Sequence, residues 1–105
     1  MITKQQFISL SQEQQKGFLS DLIGKIETKT NQEILLCQRL LEIISHPSSK
    51  TLLYIFDIVD WQLQAYHQGK IVKNNEKVKQ LLQHIQQEEE IEKADVEKIL
   101  DSLSD

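Results

Sequence analysis

At 105 residues the chain has room for one domain, and a domain of this size buries enough surface to fold without a disulfide or a structural metal. Hydrophobic residues make up 39% and charged residues 27%, as in ordinary soluble proteins, and a net charge of -4 argues against a protein that binds nucleic acid phosphates. With three glycines and one proline, the composition favours helices over a meander of short strands.

The N-terminal stretch has neither the long apolar segment nor the small-residue cleavage site of a signal peptide. Unbroken apolar runs are five residues or fewer, too short to span a membrane. We therefore expect a cytoplasmic protein with no membrane partner.

The first predicted helix begins near Thr3 or Ser11, and Ser11–Gln14 fits a capping box. Its apolar residues recur at helical spacing on one stripe: Phe18, Leu19, Leu22, Ile23 and Ile26. Gly17 and Gly24 are predicted to allow close approach of a neighbouring helix. The residues before Ser11, including Phe7, are predicted to form a separate short turn that folds back onto the bundle.

The second predicted helix follows the capping box Thr30–Glu33 and ends before Ser45-His46-Pro47, because the residue before a proline is pushed out of the helical region. Its apolar residues cover a wide face, which suggests contact with two neighbouring helices. Cys37 lies within this apolar run and is the chain's only cysteine, which excludes an intramolecular disulfide. We predict a buried, unreactive thiol.

The third predicted helix, capped by Ser48 or Ser49 and ended by Gly69, is apolar around most of its circumference between Thr51 and Tyr66. A helix of this kind has to be surrounded, so we predict that it is the most buried element. Its expected core residues are Leu52, Ile55, Phe56, Val59 and Leu63. One narrow polar strip interrupts its apolar surface: Asp57, Asp60, Gln64 and His67.

The fourth predicted helix starts after Asn74 or Asn75 and carries the stripe Val78, Leu81, Leu82 and Ile85. The stripe loses phase in the polar run 86–90, and a shorter stripe resumes near Asp95. We therefore predict an all-α domain that resembles a four-helix bundle over about residues 1–90. We also predict that residues from about 91 to 105 form an additional, less stable helical segment, which either docks on the bundle or projects as an arm.

Few residues suggest chemistry. The three histidines lie apart at positions 46, 67 and 84, and the last two are predicted to be exposed. Asp57 and Asp60 share a helix face and are read as a solvated strip, as is the acidic run Glu88–Glu90. No phosphate-binding loop, zinc signature or nucleophile elbow is present, so we predict a non-enzymatic protein with no cofactor and no metal.

The aromatic residues Tyr54 and Trp61 are seven positions apart on the third predicted helix and point roughly the same way. Either they pack in the core or they form a patch that binds another protein, since tyrosine and tryptophan are enriched at interface hot spots. We predict a small protein–protein interaction module, such as an adaptor or a chaperone-like or regulatory protein. Association with a second copy of the chain is left open.

The segment His46–Tyr54 resembles the helix–loop junction of the colicin and pyocin nuclease immunity proteins, and two amphipathic helices precede it as in that family. Thr51 departs from the family pattern, as do the two residues that follow Tyr54. The resemblance implies that Tyr54 contacts a basic nuclease toxin and that Glu33 and Glu42 lie on the acidic helix that sets specificity. A toxin-neutralising immunity protein is therefore the alternative function.

Overall fold

A computed structural model of the chain describes residues 2–26, 32–69 and 75–89, and five residues nearer the C-terminus, all of them helical and exposed: Ala94, Asp95, Glu97, Lys98 and Asp101. Within these residues there is no strand. The three longer ranges hold α1 (Lys4–Ile8), α2 (Gln12–Lys25), α3 (Gln32–Ile43), α4 (Ser49–His67) and α5 (Asn75–Glu88). The predicted all-α, bundle-like fold is confirmed.

Side chains cap the first residues of several helices. Ser11 accepts a hydrogen bond from the Gln14 backbone N–H at 3.2 Å, and the Gln14 side chain accepts one from the Ser11 N–H at 3.0 Å. This is the predicted capping box, and Thr3 forms a second one at the start of α1. Ser48 caps α4. The predicted box at Thr30 and the cap at Asn74 lie outside the described residues.

Helix ends follow the predicted signals. The helix α3 ends at Ile43, before Pro47. A lysine of α2 bonds the two carbonyls that follow this end: Lys16 Nζ donates to Ile44 O at 3.1 Å and to Ser45 O at 2.9 Å. Gly69 follows α4 with a φ of 69°, the left-handed conformation that glycine adopts most easily.

One hydrophobic core joins the helices, and α4 lies at its centre because it packs against α2, α3 and α5. Four of the five expected core residues of α4 are buried, which confirms its position: Leu52, Ile55, Phe56 and Val59. The expectation for Leu63 is wrong, since this side chain is only half-buried. With 19 residues, α4 is longer than each helix that packs on it, and its last turns are less fully covered.

The short helix α1 folds back onto the core, as predicted. Its Phe7 is fully buried and stacks on Phe56 of α4 with ring centroids 4.4 Å apart, while Phe18 of α2 lies 6.1 Å away. Lys4 adds an ion pair to Asp57 of α4 at 3.3 Å. Because a five-residue helix is not stable alone, these contacts hold α1 in place.

The predicted role of the α2 glycines is wrong. Both Gly17 and Gly24 are exposed, and a Cβ built on either would meet no atom of the described part of the chain within 4 Å. They lie on the solvent side of the helix, one position before the partly buried Phe18 and one position after the buried Ile23, and no helix of the described residues approaches them.

The fourth main helix, α5, ends at Glu88, at the start of the predicted break. Its apolar stripe lies against α4, with Leu81 and Ile85 fully buried. Most of the segment 91–105 lies outside the described residues, so its predicted stability and docking stay predictions. Among the residues that are described, no helix has both the length and the apolar character needed to cross a membrane.

Candidate functional site

The four residues predicted to bind a partner lie at different places on the bundle. Tyr54, in the second turn of α4, is half-buried, and its ring lies 5.2 Å from the His84 ring of α5. Its aromatic face is therefore used in the contact between α4 and α5. Glu33 is half-buried at the start of α3 and accepts a hydrogen bond from Gln62 of α4.

Glu42 lies nine positions after Glu33, which places the two carboxylates on opposite sides of α3. It is exposed, pairs with Arg39 one turn earlier at 3.4 Å, and lines a shallow cavity of about 120 Å³ against α2. The structure thus places Glu42 toward α2 and Tyr54 toward α5, and it does not bring this pair together.

Two large side chains of α4 are exposed, Trp61 and, near the end of the helix, Tyr66. Trp61 is 42% exposed, although it belongs to the helix at the centre of the core. The Lys77 ammonium of α5 lies 5.7 Å from the centre of its ring, within the range of a cation–π contact. Trp61 therefore presents aromatic surface to solvent at the edge of the contact between α4 and α5.

Polar side chains share this side of α4 with Trp61. Asp57 and Asp60 are half-buried, and Asp60 accepts a hydrogen bond from Gln64 at 3.1 Å. Positions three and four apart are neighbours on a helix, so Asp57, Asp60, Trp61 and Gln64 form one continuous strip, here called the outer face of α4. Lys4 of α1 pairs with one end of this face, and Lys77 of α5 covers the Trp61 ring.

A second polar cluster joins the start of α4 to the end of α5. Thr51 Oγ1 donates to Glu89 Oε1 at 2.7 Å and lies 2.8 Å from His84 Nε2, and the Ser48 backbone N–H donates to the same carboxylate oxygen at 2.8 Å. We call these four residues the α4–α5 network. Because the Thr51 proton points to Glu89, Thr51 accepts from His84, and the hydrogen of the ring lies on Nε2.

The network corrects two predictions. His84 is buried rather than exposed, and Glu89 is not part of a solvated run. Both follow from tertiary contact: His84 is three positions after Leu81, and Glu89 is four positions after Ile85, so both continue the stripe that faces α4. The carboxylate of Glu89 lies at the N-terminus of α4, where free backbone N–H groups attract negative charge.

Burial acts to raise the pKa of Glu89, but the hydrogen bonds from Thr51 and Ser48, helped by the charge of His84 when it is protonated, outweigh it and hold the pKa below its ordinary value. A group whose pKa is lower in the folded chain stabilises the fold above its unfolded pKa. This stabilisation is lost as the pH falls through the folded value.

We expect Glu89→Gln to lower the free energy of unfolding by about 1 kcal/mol at neutral pH, because a charge-assisted hydrogen bond becomes a neutral one. The difference from wild type should begin to shrink as the pH falls through the ordinary glutamate pKa of about 4, and should vanish only below the lowered pKa of folded Glu89, where the wild-type carboxylate is also protonated. Urea unfolding across this pH range measures the effect, with the exposed Glu88→Gln as the matched control. An equal loss in both variants would contradict the assigned role of Glu89.

The arrangement offers little to a substrate. Thr51 is fully buried and its hydroxyl is engaged by His84 and Glu89, so the α4–α5 network acts as a connection between helices. Burial, with a smaller effect of Glu33, raises the pKa of the Cys37 thiol to about 12, so the thiolate is scarcely populated at neutral pH. Among the described residues, no three His, Cys, Asp or Glu side chains are grouped so as to hold a metal ion.

Comparison of the chain with protein-family models, with curated proteins and with solved structures found no match. The resemblance of His46–Tyr54 to immunity proteins therefore stays a prediction.

Proposed function

We propose that this chain is a small, non-enzymatic protein-binding module and that the outer face of α4 is its binding surface. The observation that supports this most is the exposure of Trp61, the chain's only tryptophan, on the helix whose neighbouring positions form the core. Tryptophan is the residue type most enriched among interface hot spots, where it supplies a large apolar area at low conformational cost.

Three further features favour Trp61 over the other candidates. Its backbone belongs to the central helix, so the ring is presented by a rigid support rather than by a loop. Polar residues of the outer face lie beside it, as the polar rim of an interface lies beside its apolar centre. Tyr54, by contrast, already packs its ring against His84 within the bundle, so less of it is available to a partner. We expect the module to act in the cytoplasm.

The immunity-protein alternative requires Tyr54, Glu33 and Glu42 to meet one toxin surface. Glu33 contacts α4, Glu42 faces α2 and Tyr54 contacts α5, so one flat partner would need to span several sides of the bundle. Under our proposal Tyr54→Ala lowers stability and leaves partner affinity unchanged. Under the alternative the same variant weakens binding to a basic nuclease without unfolding the domain.

The proposal is tested by comparing what the purified wild-type chain and its variants retain from a lysate of the organism that encodes it. We expect Trp61→Ala to lose at least one protein that the wild-type chain retains, while its thermal unfolding stays cooperative. Tyr66→Ala is the matched control, because it removes an aromatic ring that is 73% exposed elsewhere on the same helix. Quantitative mass spectrometry reads the result. Identical retention by wild type and Trp61→Ala would contradict the proposal, as would an equal loss with Tyr66→Ala.

A further inference from the structure

The outer face of α4 already binds cations from the chain itself. Lys77 Nζ of α5 lies over the Trp61 ring, and Lys4 Nζ of α1 pairs with Asp57. These two lysines come from different helices on opposite flanks of the face. Their positions show that both the ring and the carboxylate are accessible to a positively charged group.

The contact between Lys4 and Asp57 can be exchanged at little cost. In the Lys4–Asp57 pair the lysine side chain is 53% exposed, and exposed ion pairs contribute little to stability. Asp60 uses one oxygen to accept a hydrogen bond from Gln64, and a carboxylate can accept several more. A partner that supplies positive groups can therefore replace Lys4 on Asp57 and bind Asp60 without leaving a buried charge unpaired.

Arginine is better suited to this face than the lysine that now covers it. Its guanidinium plane stacks on an aromatic ring and donates hydrogen bonds to a neighbouring carboxylate at the same time, which an ammonium group does less well. The chain's net charge of -4 also favours the approach of a basic partner.

Resting on the function proposed above, we infer that the outer face of α4 receives a basic segment of its protein partner, with an arginine over the Trp61 ring in place of Lys77 and further basic side chains on Asp57 and Asp60. Lys77 then acts as a competitor within the chain, which occupies the ring until the partner displaces it.

Trp61 is the only tryptophan, so intrinsic fluorescence reports directly on this site. A tetra-arginine amide is titrated into the intact chain at low ionic strength, with tetra-lysine and tetra-glutamate as comparison peptides. We expect a saturable change with tetra-arginine, weaker binding of tetra-lysine and no binding of tetra-glutamate. Raising the salt concentration should weaken the arginine complex.

Two variants make the test specific. Lys77→Ala removes the competitor and should tighten tetra-arginine binding about two- to fivefold, the value of one exposed cation–π contact. The double variant Asp57→Asn with Asp60→Asn should weaken binding at least about threefold. The matched control is Glu13→Gln with Asp21→Asn, which removes the same charge from exposed positions of α2 and should change binding less than the Asp57 and Asp60 pair does.

Unchanged affinity in Lys77→Ala would overturn the inference, as would equal weakening by the two double variants, because binding would then follow net charge alone. Absence of saturable tetra-arginine binding would overturn it too. If Trp61-dependent retention of a protein persists in that case, the proposed function stands and its partner binds by apolar contact. If that retention is absent as well, the proposed function fails with the inference.

Discussion

Replacing Val59 with aspartate is expected to abolish folding. Val59 is fully buried at the centre of α4, the helix against which α2, α3 and α5 pack. Val59 belongs to the hydrophobic core cluster, where a buried carboxylate without a cationic partner costs several kcal/mol. A domain of this size has a total stability of about 5–15 kcal/mol. Far-UV circular dichroism with thermal unfolding measures the loss.

The matched control is Gln83→Asp, which adds the same charge at an exposed position of α5 and should cost less than about 1 kcal/mol. If Val59→Asp gave a folded monomer with a cooperative transition like that of Gln83→Asp, α4 would not be the centre of the core.

The second large effect is expected at the N-terminus. Phe7→Ala should lower the free energy of unfolding by about 3–5 kcal/mol, because it removes a fully buried ring that stacks on Phe56 and leaves a cavity where α1 docks. The Gln15 side chain also donates to the Phe7 backbone carbonyl at 3.0 Å. If α1 shifts when the ring is lost, this hydrogen bond is weakened as well. Urea unfolding at constant pH gives the value.

Its neighbour Ile8 is the control. This side chain is 54% exposed, so Ile8→Ala removes apolar atoms from the same short helix with little change in burial and should cost less than about 1 kcal/mol. Equal losses in the two variants would mean that α1 does not dock through Phe7.

Most of the fold could be predicted from the sequence because local signals and apolar periodicity agree. The Ser11 capping box, the stop before Pro47 and the left-handed Gly69 each act within a few residues, and the structure has all three. The α2 glycines were assigned wrongly, although the sequence could have placed them. At about 3.6 residues per turn, Gly17 and Gly24 lie on the side of α2 away from the buried stripe of Leu19 and Ile23.

The polar contacts between helices were harder to predict from the sequence than the helices themselves. His84 and Glu89 could have been recognised by their positions on the α5 stripe, where polar residues continue an apolar series. Their common partner Thr51 lies 33 and 38 positions away, and a single sequence does not show which helices meet. For the same reason, Trp61 could be recognised as a candidate because it is a tryptophan, but the sequence did not predict that Lys77 lies over its ring.

The central claim is that Trp61 anchors a protein partner, and the most direct test is the affinity of that partner. Calorimetric titration of a retained protein into wild type and into Trp61→Ala compares the two dissociation constants, with thermal unfolding as the check of the fold. A hot-spot residue contributes at least about 2 kcal/mol, so we predict at least about thirty-fold weaker binding for Trp61→Ala. Equal dissociation constants in two folded proteins would contradict the claim.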